Sequence, residues 1–344
     1  MSPGNPVLPS ASELHVDDPP DFTKVKRVVI AVSGGKDSIA CIWAVKHELA
    51  RQGASCEIEL MHHDVDGEEV GLFDWPCTRG YVRRLAGDLK LPIYFSWKVG
   101  GLEGEMLRKD APTAPTRWER PDGFIAEAGG KGPLGTRQMF PQVAADLRVR
   151  YCTAYVKVDV GTKPLSNDDR FFDGTTVFVT GERAEESANR SRYLTWEKHR
   201  TWSSKRDTWH WRPIKSWPEA HVWAAVRELG VYPHPAYWAG WGRVSCATCI
   251  FGSPDQWASL RLLAPEKFEA VLAYERQFGK TINRKLNVEQ QADKGTPYAA
   301  LRKDESELRF HKKWCLEPWP AHARTLVYPW HLPDGAFGES AGPT

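Results

Sequence analysis

The sequence has no apolar run near the roughly 18 residues that a membrane span needs, so no membrane partner is expected. Its first residues lack a basic patch followed by an apolar stretch, and no secretory signal is expected there. An excess of one charge is also missing: 46 Lys+Arg stand against 44 Asp+Glu, a net of +2, so bulk charge by itself calls for neither nucleic acid nor a lipid surface. Cysteines number only seven, an odd count, and are scattered along the chain, which is a poor layout for a disulfide framework. A reducing, cytoplasmic setting follows as the expectation. No internal repeat or long low-complexity tract is present.

What is there fits one large or two modest domains in 344 residues. Residues 1–24, with five prolines in the first twenty, read as a disordered tail. Residues 28–32 (VVIAV) form a short, β-branched run expected of a strand buried on both faces. From Ile39 the apolar spacing turns helical, and residues 58–62, 93–97 and 175–180 are further candidate strands, with a helical stretch at 81–89. Strand and helix in alternation predict an α/β fold on a parallel, Rossmann-like sheet of about five strands. Residues 100–135 are rich in Gly, Pro and charge without periodicity and are expected to form a flap. The main domain is placed at 25–251. A smaller helical C-terminal region is placed at 252–344, where Ser253-Pro254-Asp255 and Pro265-Glu266 each begin a helix.

The strongest motif is AVSGGKDS, residues 31–38, between the first strand and its helix. Gly34 and Gly35 let the backbone bring its N–H groups close to an anion, and the helix N-terminus adds about half a positive charge. Lys36 offers a full charge, and Ser33 and Ser38 offer hydroxyls. The loop is neither a Walker A motif, since Ile30 stands at its first glycine and Asp37 follows the lysine, nor a GxGxxG turn.

SGGKDS resembles the signature of the PP-loop superfamily, the adenine-nucleotide α-hydrolase-like proteins. Four later blocks are similar to the phosphoadenosine phosphosulfate (PAPS) reductase-like branch. They are Arg150-Tyr151-Cys152-Thr153 with Lys157, Thr180-Gly181-Glu182-Arg183 through Ser187 with Arg190, residues 211–237, and Gly242-Arg243 followed by Cys246-x-x-Cys249. The resemblance implies a HUP-type fold and cleavage of ATP with Mg²⁺ between the α and β phosphates, so that a substrate is adenylated and pyrophosphate released. It implies catalytic roles for Lys36, Asp37, Lys157 and Arg183, and nucleotide contacts from residues 33–38, Asp64, Gly181, Arg183 and Arg190. Arg183 and Arg190, seven apart, would share a helix face and clamp an anion. Of the adjacent His62 and His63, one must point away from the other if they lie on a strand.

Cys152, Cys246 and Cys249 are similar in placement to the iron-sulfur members of the family, with Tyr151 where those carry a further cysteine. The resemblance implies a 4Fe-4S cluster on these three, with a fourth ligand from elsewhere such as Cys315; zinc is the rival, and three ordinary buried cysteines the third possibility. Activation coupled to sulfur transfer, with a donor protein such as a cysteine desulfurase, is implied in turn. The reductase tail motif is missing, so reduction of an adenylyl sulfate is the second reading and would need Cys315.

Tryptophan is abundant, at 16, and between Arg190 and Lys215 four of them interleave with eight Lys or Arg. Cations for phosphates and rings for bases point to a nucleic-acid substrate, or to a non-catalytic nucleic-acid module. Core tryptophans with solvated charges are the simpler account.

Overall fold

The computed structural model describes residues 6–69, 71–144 and 146–338. β1 (Arg27–Ala31) is the branched run, and its side chains alternate as a pleated strand requires: Val28 and Ile30 enter the main core, Val29 and Ala31 a smaller one on the other face. α1 (Lys36–Gln52), β2 (Glu57–Asp64), α2 (Thr78–Leu89) and β3 (Ile93–Lys98) follow. Beyond them come α3 (Gly101–Leu107) and the hairpin β4 (Pro115–Glu119) and β5 (Ile125–Gly129). The stretch expected as a flap therefore adds a helix and two strands to the fold. Gly123 and Gly129, both at positive φ, turn and end the hairpin.

A short α4 (Tyr151–Thr153) runs through a π turn (Ala154–Val158) into α5 (Asp159–Asn167). Next are β6 (Thr176–Val179), β7 (Trp196–Lys198), β8 (Thr208–Trp211), α6 (Glu219–Glu228) and α7 (Pro235–Trp238). The sheet order is β5-β4-β3-β2-β1-β6-β8-β7. β3, β2, β1, β6 and β8 run parallel, which accounts for the five expected strands. β4, β5 and β7 are antiparallel additions at the two edges. The succession of parallel strands reverses direction between β1 and β6, and the crevice above such a reversal is where open α/β sheets bind ligands.

α1, α2 and α6 cover one face through Ile39, Ile42, Val82, Leu85, Val222 and Val226. The other face is covered by Leu165 and Phe171 over Val29, Met61 and Phe178. α8 (Pro254–Leu263), α9 (Pro265–Phe278), α10 (Val288–Ala292) and α11 (Glu305–Leu316) build a second core with α3 and Trp75. The chain then returns to the sheet domain, where Trp319 packs edge-on to Tyr81 and the Thr325 N–H donates to Asp88 at 2.7 Å. Among the described residues no helix is long and apolar enough to cross a membrane.

The N-terminal segment differs from its expected disorder. Leu14 and Phe22 are buried, and the indole N–H groups of Trp217 and Trp211 donate to the carbonyls of His15 and Asp17 at 2.6 and 2.8 Å. Buried indoles need acceptors, and residues 6–24 supply them. Residues 1–5 of that tail and 339–344 of the C-terminal region lie outside the described residues.

Candidate nucleotide site

The loop 33–35 joins the carboxyl end of β1 to α1 at the reversal of strand order. Gly34 has φ +83°, and a β-carbon there would stand 3.4 Å from His234 and Val82. Gly35, at the N-cap of the 17-residue α1, has no side chain to cap the helix, and its own N–H donates to the Ser33 hydroxyl at 3.3 Å. The Lys36 N–H donates to the Tyr237 hydroxyl at 2.9 Å, which ties the loop to α7. Thr180-Gly181, at the end of β6, closes the other side of the crevice: a β-carbon on Gly181 would lie 2.8 Å from the Asp37 carbonyl oxygen.

Four site residues stand differently from expectation. Lys36, expected to meet phosphate, is 2% exposed, and its ammonium donates to the Gly242 carbonyl at 3.0 Å and pairs with Glu219 at 3.4 Å. Burial by itself would lower its pKa, but Tyr237, Asp37 and Glu219 hold it above the ordinary value. Arg183 and Arg190 do not share a helix face, because residues 184–186 and 190–192 form two separate 3₁₀ turns. Arg183 Nε pairs with Asp37 at 2.6 Å and its Nη1 bonds Glu185, while Arg190 bonds Glu186. Asp64 is sealed by Arg79 and lies outside the cavity lining.

A cavity of about 900 Å³ opens above Ala31, Phe178 and Thr180; Ala31 stands two residues before the loop, but residues 33–38, Gly181 and Arg183 are not in the lining. His63 lines it, whereas His62 points to the opposite face and bonds the Val32 carbonyl at 2.7 Å. Arg150, Lys157, Arg192, Lys198 and Arg200 line it too, and among the described residues no carboxylate lies within ion-pairing distance of these five. Arg190 and Arg212, also in the wall, are paired, with Glu186 and with Glu182 and Glu197. The lining therefore carries uncompensated positive charge in a partly enclosed space, the condition for binding a polyanion.

Cys152, Cys246 and Cys249 share one wall of the same cavity. Burial pushes the Cys152 and Cys246 thiols up, with Lys157 opposing. Thiols are the donors that iron and zinc take, yet among the described residues no three His, Cys, Asp or Glu side chains are grouped closely enough to hold an ion. Tyr151, at the place of the further cysteine, is a buried strut whose hydroxyl donates to the Met139 carbonyl at 2.6 Å. Cys315 cannot serve as fourth ligand or as reductase nucleophile in this arrangement: it is 0% exposed, packed in the second core and outside the cavity lining.

The basic and aromatic stretch divides. Trp211 and Trp217 are core, and Trp196 stacks on Trp209 at 5.2 Å between β7 and β8. Trp202 alone of these stands out, 39% exposed with the Lys198 ammonium 3.5 Å above its ring.

All four motif blocks after the loop lie in one stretch of chain, and comparison with known families agrees. Residues 141–251 match the phosphoadenosine phosphosulfate reductase domain. That domain takes in Cys152 and Lys157, the turn after β6, β7, β8 and the CxxC, while the loop at 33–38 precedes it. An uncharacterized 37.8 kDa protein of Escherichia phage 186 is 27% identical over 266 residues, which are 72% of this chain and 74% of that protein. Among solved structures, Candida glabrata FMN adenylyltransferase in complex with FAD and inorganic pyrophosphate aligns at 11% identity with a TM-score of 0.37. The alignment covers 65% of this chain and 55% of that enzyme, so the chain spans about half of the enzyme's length. The chain is thus an α/β protein in which residues 141–251 match a PAPS reductase domain.

Sequence reasoning missed the partners that turn Lys36 inward, Glu219 and Gly242, because they lie about two hundred residues downstream. It also passed over His210 and Arg212 as individuals, although the alternation Trp209-His210-Trp211-Arg212 is the period of a strand with a polar face.

Proposed function

We propose that the chain binds ATP in this cavity and cleaves it between the α and β phosphates, passing AMP to a substrate and releasing pyrophosphate. The observation that carries this reading is a cavity wall, at the strand ends that lead into the loop and into the turn after β6, holding five cations that lack carboxylate partners among the described residues. Phosphates supply the missing negative charge. The loop and the start of α1 take one end of the triphosphate, and Lys157 and Arg150 stabilise charge on the departing pyrophosphate from across the cavity. Mg²⁺ enters with ATP, and Asp37 is the carboxylate at the helix N-terminus that can meet it on release from Arg183. In an assay that separates the products, ATP should yield AMP and pyrophosphate. Lys157→Ala should lower kcat/KM by roughly 10²-fold. Orthophosphate as the only product would refute the reading.

The finer form of this proposal is sulfur transfer to a nucleic acid or a small molecule. Exposed Trp202 under Lys198, with Tyr193 and Leu194 exposed nearby, favours a nucleic acid as acceptor. Oligonucleotide added to the same assay should then stimulate pyrophosphate release. A 4Fe-4S cluster on Cys152, Cys246 and Cys249 requires the three sulfurs to close on one another. Anaerobic purification with iron and sulfide analysis tests it: iron and sulfide near four each per chain support the cluster, zinc alone supports the rival, and neither metal refutes both.

A further inference from the structure

Among the described residues two carboxylates line the cavity, Glu182 and Glu197, and a ring of polar contacts holds the first of them. Arg212 Nη2 donates to His210 Nδ1 at 3.0 Å. Since a guanidinium can only donate, Nδ1 must carry the lone pair and Nε2 the proton. Nε2–H therefore donates to the Thr180 hydroxyl at 2.6 Å, and the Thr180 hydroxyl, its lone pair engaged, donates to Glu182 Oε2. Arg212 Nε closes the ring as an ion pair without a hydrogen bond, 3.4 Å from the same carboxylate oxygen. The three hydrogen bonds all run one way, from Arg212 through His210 and Thr180, and end on the carboxylate. Glu197 is engaged elsewhere, with Arg212 Nη1 at 2.7 Å.

Glu182 follows Gly181, the residue pressed against Asp37 of α1, so this carboxylate is carried at the switch point itself. The other titratable bases in the wall are weak ones. Burial pushes His63, His199 and His210 down to about 3, and His210 has both nitrogens engaged in the ring.

We infer that Glu182 is the proton acceptor for the nucleophile that attacks the α phosphate, and that His210 is a positioning residue acting through Thr180. The inference rests on the adenylation reading. In the step, the nucleophile's proton passes to the Glu182 carboxylate as its lone pair forms the bond to the α phosphorus. The bond from that phosphorus to the bridging oxygen breaks, its electron pair leaves on pyrophosphate, and Glu182 returns the proton to solvent. Oε2 is occupied by Thr180, which leaves Oε1 to receive the proton.

The test compares pyrophosphate release from Mg-ATP by the full chain and its variants, with water as the default acceptor. Glu182→Gln should lose about 10²- to 10⁴-fold in kcat, with KM for ATP within about threefold. The groups facing Glu182 are Arg212 on β8, His210 through Thr180, and Cys41 on α1. Should that variant fail to fold, Glu182→Asp keeps the charge but withdraws it, and should lose about tenfold in kcat. His210→Phe should lower kcat without raising KM, and His210→Gln, which keeps a donor toward Thr180, should recover most of the loss. Glu182 variants that turn over at the wild-type rate would overturn the assignment and leave the adenylation reading intact. A wild-type chain that releases no pyrophosphate would overturn both.

Discussion

Gly181→Ala is expected to cut ATP affinity about tenfold or more while leaving the chain folded. The added β-carbon would stand 2.8 and 2.9 Å from the Asp37 carbonyl oxygen and carbon, and both are backbone atoms at the start of α1. Neither can rotate aside, so β6 and α1 must part by a few tenths of an ångström or more. The separation falls where it does most harm, between the loop and the turn that bears Glu182 and Arg183, and it strains the 2.6 Å pair of Arg183 with Asp37. Displacements of about 1 Å in a phosphate site are worth up to about 10²-fold. Gly87→Ala is the matched control: it lies within α2 with nothing within 4 Å of the added carbon, and should raise stability by about 0.5–1 kcal/mol. Isothermal titration with ATP and thermal melts of both variants decide the matter. Unchanged affinity in Gly181→Ala would show that the switch-point crevice is not where the nucleotide sits.

Lys36→Met is expected to lower stability by about 3–5 kcal/mol, the loss typical of breaking a buried ion pair from one side. Removing the ammonium leaves Glu219 without its cation and the Gly242 carbonyl without its donor; the Trp223 indole, at 3.1 Å, remains on Glu219 but brings no charge. Because the native pKa of Lys36 is raised, this contribution is complete at pH values below the unfolded-state lysine pKa and fades only as pH rises through the higher native value, so neutral buffers suffice. Urea melts of Lys36→Met, Glu219→Gln and the double variant should show the double variant less destabilised than the sum of the singles. A Lys36→Met midpoint equal to that of the wild type would mean that the ammonium is free to meet phosphate. If the expected loss appears, lowered turnover in any Lys36 variant mixes chemistry with folding.

The alternating strands and helices were legible because a doubly covered parallel strand tends to be a continuous apolar run, as in β1, the start of β3 and β6, while β2 was read from Ile58, Leu60 and Met61. The loop was legible for a similar reason: two glycines between such a strand and a helix leave few other conformations. β7 and β8 were hidden in a stretch whose composition suggested a ligand surface, since a strand pair that stacks Trp196 on Trp209 and points Arg212 inward looks, in one dimension, like scattered cations and rings. The turn after Gly181 was misread for the opposite reason. Glu185, Glu186 and Arg190 have helical spacing, yet Glu186 accepts from the Arg183 N–H at 2.8 Å and also bonds Arg190, and these bonds support short turns. The direction of Lys36 could not be read at all. It depends on Glu219 and Gly242, which only the closed sheet brings within reach.

The π turn at Ala154–Val158 gives the spacing of one motif a mechanical meaning. Cys152 and Lys157 are five residues apart, and on a regular α-helix, at 3.6 residues per turn, five steps overshoot a full turn and carry the second side chain well round the barrel from the first. A π turn closes its hydrogen bonds over five residues instead, which brings such a pair back toward vertical alignment. Both side chains line the cavity. The wider coil therefore works as a phase corrector. The same two residues four apart would need no π turn, and at five apart a strictly regular helix would face only one of them toward the cavity.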